Sequence, residues 1–227
     1  MTAPTDHHNS LRQAQTPFHF NSPSHLLRIG KQRAANLNEL LEALGSCPEE
    51  SIFQHTFRTL QEHHFIREGF SNDFAHWAYV DCNEVGLAEQ LAAIDVREFT
   101  SIADLRQKIV QIVQRYLQQN SLAGDREARQ VFYFCASDTV VTPTSFRARN
   151  LPEFLAAMEQ VGLRSIHYHF IEARLRLKLQ SNDFSIWLKD ELDLAPAAAL
   201  LNRIDIYTST LEGVRQQILT IIGRALH

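Results

Sequence analysis

His55 and His169 close two matching strings, SIFQH at 51–55 and SIHYH at 165–169, and each is followed by an aspartate inside a second string, SNDFAHW at 71–77 and SNDFSIW at 181–187. An imidazole next to a carboxylate can orient a general base, and the same two groups are common metal ligands. Together with the retained neighbours, the candidate ligand-binding set is His55, Asn72, Asp73, Trp77, His169, Asn182, Asp183 and Trp187. No catalytic residue is assigned, because no retained Ser or Cys stands where it would serve as the nucleophile.

Each candidate also has a plain structural use. Ser71 and Ser181 suit a helix N-cap, Asp73 and Asp183 suit a first turn, and Phe and Trp three residues apart share a face. A histidine among apolar neighbours is commonly satisfied inside the protein, with Asp73 and Asp183 the natural partners. For a metal, His167, His169 and Glu172 in HYHFIE are suggestive, but the earlier string has Phe53, His55 and Arg58 at those places. Neither a metal nor a cofactor is expected. Arg33 and Arg147, like Arg106 and Arg215, recur at matching places and suit either a phosphate clamp or ion pairs. Eight glycines and no GxGxxG or GxxxxGK[ST] leave little from which to build a phosphate-cradling loop.

The elements carrying these residues repeat along the chain. FHF at 18–20 and FYF at 132–134, RAANLNELLEAL at 33–44 and RARNLPEFLAAM at 147–158, and the SIxxH strings all lie 114 residues apart. The offset is 110 for SNDFxxW and 109 for the closing segments LRQKIVQIVQRYL and VRQQILTIIGRAL. Ordered blocks of this kind point to duplication of a unit of roughly 100 residues. Asn36 with Glu39, and Asn150 with Glu153, predict capped helices over 37–45 and 151–161, with Pro152 tolerated in the first turn. SIFQHTFRTLQEHHF and SIHYHFIEARLRLKL predict a second helix. Short helices near 84–94 and 194–204 follow, and the closing segment is amphipathic. Only FHF and FYF read as extended chain. The expected fold is therefore mostly α, a tandem duplication with a short extended segment before each set of helices, arranged about a pseudo-two-fold axis. The expected divisions are a disordered tail at 1–15, helical repeats at 16–117 and 130–227, and a connector at 118–129.

Composition restricts the functional classes. The 227 residues are 44% hydrophobic, and 22 basic against 26 acidic side chains leave a net charge of -4, without the basic excess expected for nucleic acid or an anionic membrane. Cys47, Cys82 and Cys135 are too few and too scattered for a disulfide framework, and read as buried reduced thiols. With no signal-peptide core or membrane span in the sequence, the expectation is a cytoplasmic protein, monomer or homodimer.

The ordered set of FHF/FYF, AxNLxEL, SIxxH, SNDFxxW and a closing LRxxI helix resembles a bacterial and archaeal domain family of unknown function. Relatives of that family are attached to, or encoded near, trehalose-synthase-like glycosyltransferases. The resemblance implies no catalytic residue, and it implies that any such enzyme would be a separate partner. The resulting expectation is a helical binding or regulatory module for a protein partner, such as a glycosyltransferase, or for a small polar ligand. The alternative is an enzyme or metal-dependent protein using His55/Asp73 and His169/Asp183, with HYHFIEARLR marking the working half if only one half is active.

Overall fold

A computed structural model describes residues 12–58 and 70–226. Two long strands, β1 (Phe18–Ala34) and β2 (Phe132–Ala148), form one two-stranded sheet. Thr142 donates to the Ser22 carbonyl, Thr144 to the Phe20 carbonyl, and His25 meets Thr139, so the strands run antiparallel.

The chain divides into two compact units, and they are not consecutive halves. A central unit comprises His25–Thr139; a terminal unit combines Met1–Ser24 with Val140–His227. The central unit therefore holds residues 25–34 of β1 with 132–139 of β2. Its helices are α1 (Leu37–Ser46), α2 (Glu49–Phe53) running into a π-helical turn (Gln54–Arg58), α3 (Asp73–Val80), α4 (Val85–Ala92) and α5 (Ile102–Gln119). The terminal unit holds residues 18–24 with 140–148, followed by α6 (Leu151–Gln160) and α7 (Leu163–His167), which leads into a second π-helical turn (Tyr168–Glu172). It is completed by α8 (Ala173–Leu177), α9 (Asp183–Leu192), α10 (Ala195–Leu201) and α11 (Leu211–Arg224).

The expected mostly α tandem duplication, with its pseudo-two-fold arrangement and short extended segments, is corrected. The extended segments are strands of 17 residues each, giving a mixture of helix and sheet. Each unit also draws a strand segment from outside its run of helices. Hydrophobic periodicity does not reveal the strands, because their middle stretches lie uncovered and do not alternate between apolar and polar. Leu26, Leu27, Ile29, Val140 and Val141 are all exposed.

Local signals explain most helix starts. Asn36 accepts the Glu39 N–H at 2.9 Å while Glu39 reaches back to the Ala35 N–H at 2.8 Å; Asn150, Glu153 and Arg149 repeat the arrangement. Periodic apolar residues bury one face of α5 (Leu105, Ile109, Ile112, Val113) and one of α11 (Leu211, Val214, Ile218, Ile222). The caps of α3 and α9 fall one residue later than expected. Asn72 and Asn182 accept from the N–H groups of Ala75 and Ser185, while the Ser71 hydroxyl donates to the Ala92 carbonyl.

The expected tail at 1–15 lies outside the described residues as far as residue 11. Beyond it, Ala14 is buried and its N–H donates to the Arg149 carbonyl at 2.6 Å. The continuation of the predicted second helix over 59–65, including His63 and His64, also lies outside the described residues, as does the pair His7 and His8.

Candidate functional site

The two π-helical turns carry the candidate histidines. A π turn inserts one residue into an α-helix, which moves the following side chains about 100° around the axis. His55 and His169, near the start of these turns, each lie between a strand on one side and the first turn of a helix on the other.

In the central unit, His55 Nδ1 lies 2.7 Å from the Asp73 carboxylate, and Nε2 accepts the Cys135 N–H at 2.8 Å. In the terminal unit, His169 Nδ1 lies 2.6 Å from the Asp183 carboxylate, and Nε2 accepts the Asn21 N–H at 2.8 Å. A backbone N–H can only donate, so Nε2 must carry the lone pair and the ring proton sits on Nδ1, aimed at the carboxylate. Both rings are buried. Each acts as a bracket that fastens a strand to the first turn of a helix.

Aromatic packing completes each bracket. Phe18 lies within 4.8–5.7 Å, centroid to centroid, of Phe20, His169, Phe184, Phe154 and Trp187. Phe132 similarly meets His55, Phe134, Phe74 and Trp77 within 4.7–5.7 Å. The indole N–H of Trp77 donates to the Gln130 carbonyl, and that of Trp187 to the Thr16 carbonyl, which pins the chain just ahead of each strand. Asn72 adds a bond to the Leu91 carbonyl, and Asn182 one to the Asn202 side chain. The structure thus gathers His55, Asn72, Asp73 and Trp77 within the central unit, and His169, Asn182, Asp183 and Trp187 within the terminal one, each with internal partners.

The remaining sequence candidates separate. His167 pairs with Glu172 at 2.9 Å and His169 with Asp183, so HYHFIE does not converge on one ion. Among the described residues no group of three His, Cys, Asp or Glu could hold a metal. Arg106 donates to the Cys47 carbonyl, and Arg215 to the carbonyls of Glu159 and Val161, at the C-terminal ends of α1 and α6. These two arginines hold helices together. Arg33 and Arg147 are exposed on the strands. Cys47 and Cys82 are buried and Cys135 is half-buried; burial raises all three thiols, to about 12 for Cys82.

Two features escape the sequence reading. One is the buried His167–Glu172 pair, whose His167 Nε2 has no partner among the described residues. The HYHFIE string contains it, but its five-residue spacing meets only on a π turn. The other is a shallow open groove of about 260 Å³ between Ser145–Arg147 of β2 and Glu153, Ala156 and Gln160 of α6. None of the eight candidate residues lines it.

Residues 15–223 match a family of unknown function, DUF5752. The chain belongs to that family. The solved structure of OrfY from Thermoproteus tenax is similar to this DUF5752 chain, with 31% identity, a TM-score of 0.82, and coverage of 94% of this chain and 97% of OrfY. The family match takes in both strands and the helices of both units. No curated protein matches. No described helix is long and apolar enough to cross a membrane.

Proposed function

We propose that this DUF5752 chain is a non-catalytic binding or regulatory module of the cytoplasm, serving a protein partner or a small polar ligand. One observation carries the reading: both nitrogens of His55 and of His169 are engaged within the protein, by a carboxylate and by a strand N–H. A general base needs a nitrogen turned toward a substrate. An imidazole with both positions filled holds a strand in place, and the two tryptophans pin the chain just ahead of each strand. The motif resemblance adds a proposed setting in carbohydrate metabolism, with a trehalose-synthase-like glycosyltransferase as the separate partner.

The test is a pair of measurements on the full chain: a turnover screen with nucleotide-sugar donors and sugar acceptors, and a pull-down with a purified trehalose-synthase-type glycosyltransferase. Binding without turnover is expected. Turnover that disappears in Asp183→Asn while the folded near-ultraviolet spectrum persists would overturn the reading.

A second reading, a metal-dependent protein, draws on the buried His167–Glu172 pair, since a carboxylate on one ring nitrogen commonly orients a metal-bound imidazole. Elemental analysis of freshly purified protein separates the two. A stoichiometric metal that vanishes in His167→Gln would favour the second.

A further inference from the structure

Along Leu26–Arg33 of β1, in the central unit, Leu26, Leu27, Arg28, Ile29, Lys31 and Arg33 are all exposed. Leu26, Leu27 and Ile29 are 69%, 63% and 71% exposed, three large aliphatic side chains within four positions. Clustered apolar exposure of this kind marks a contact surface. Among the described residues β2 is the one ladder partner of β1, so the far edge of β1 presents backbone N–H and C=O groups to which another strand can add.

The charge of this strand indicates what would add. β1 contains no Asp or Glu, in a chain whose net charge is -4. Arg28, Lys31 and Arg33 are all exposed; Arg28 meets Asp138 at 3.3 Å with both side chains more than half exposed, a weak tie. Strand alternation puts Leu27, Ile29, Lys31 and Arg33 on one face, an apolar pair followed by a basic pair. Basic residues can blunt an edge against aggregation, which would account for Lys31 but not for three uncovered aliphatics beside it. Two β1 strands set edge to edge would bring six cations into one sheet with no carboxylate from either strand. That disfavours a second copy as the occupant.

We propose that Leu26–Arg33 is a docking edge for an extended acidic segment of a partner protein. The segment adds as a further strand, lays apolar side chains on Leu27 and Ile29, and sets carboxylates against Lys31 and Arg33. This names the partner class for the binding-module reading above and rests on it.

The experiment titrates the full chain into a labelled short peptide of alternating valine and glutamate, with a valine–lysine peptide as control, following fluorescence anisotropy at low and high salt. The valine–glutamate peptide binds and the control does not. Binding weakens roughly tenfold in Ile29→Asp and in Lys31→Glu/Arg33→Glu, with unchanged circular dichroism, and weakens with salt. Absence of binding, or binding indifferent to the charge reversals, overturns the proposal. Sedimentation showing a dimer that Ile29→Asp dissolves would assign the edge to a second copy; flotation with phosphatidylserine vesicles that Ile29→Asp abolishes would assign it to a membrane surface. Either result overturns it. A substrate turned over by the full chain would defeat the module reading while the peptide result stood, so the two failures are distinguishable.

Discussion

The Asn21 N–H donates to His169 Nε2 at 2.8 Å across 148 positions of sequence, while Nδ1 of the same ring holds Asp183 at 2.6 Å. One buried imidazole thereby joins the N-terminal strand segment to the second π turn and to the first residue of α9. His55 makes the corresponding junction in the central unit, with Cys135 and Asp73.

Removing either ring strands a backbone N–H and a carboxylate. His169→Ala is expected to lower stability by about 2–4 kcal/mol. Urea unfolding followed by tryptophan fluorescence reads the loss, and a cost below that of an ordinary surface substitution would contradict the bracket.

The terminal unit depends on residues far away in sequence. Thr16, Phe18, Phe20 and Asn21 supply its aromatic packing and two of its hydrogen bonds. Deleting residues 1–24 should leave α6–α11 without their strand, visible as lost near-ultraviolet circular dichroism and collapsed methyl dispersion in NMR spectra. Were the two halves of the sequence independent, the helices of 151–224 would instead survive the deletion intact.

Gly30 of β1 lies against Phe134 of β2. A Cβ there would overlap the Phe134 carbonyl oxygen, which is main chain and cannot turn aside. Gly30→Ala is expected to cost about 1–3 kcal/mol, against a near-neutral Gly45→Ala, whose Cβ would meet nothing. Parallel denaturant titrations of the two variants make the comparison.

The asparagines and serines of SNDFxxW should differ. Asn72 and Asn182 cap their helices and are buried, so Asn182→Ala is expected to cost about 1–2 kcal/mol, possessing as it does both a cap bond and a bond to Asn202. Ser181→Ala should cost less, because Ser181 makes no cap bond. Equal losses in thermal melts would refute this division of roles.

Tyr116 supplies a pH test. Burial and its hydrogen bond to Glu84, 2.6 Å away, push its hydroxyl up to about 12. A folded-state value above the ordinary one of about 10 means stability that is fully present below pH ~10 and lost as pH rises through ~12. Alkaline titration by tyrosinate absorbance should show one late-ionising tyrosine that is absent in Tyr116→Phe, and the variant should lose less stability across that window.

Motif comparison brought out residues that the structure pairs, without explaining how they meet. The matching strings single out His55, Asp73, His169 and Asp183, and the structure joins each histidine to its aspartate. Capping strings likewise placed α1 and α6, because a cap is chemistry between residues three apart. Three facts lay beyond that range. A π turn has no distinctive composition, and nothing in the strings showed that each histidine would also accept a strand N–H. The cap slipped from serine to asparagine because adjacent polar residues can each serve. The strands went unread over most of their length because their middle stretches lack a covered face, and with it the period-two pattern.

By itself, the sequence determined where the capped helices α1 and α6 start and that the chain could bury a sizeable core. Those properties follow from residue type and short spacing. Tertiary structure decided that Phe18 and Phe20 pack on helices beginning at residue 151, while Phe132 and Phe134 pack on helices that precede them. The physical reason is that a strand can satisfy its backbone and bury its aromatic face with any helices that fit. Nothing local in FHF or FYF specifies which set that is, so the choice is made only when the whole chain closes.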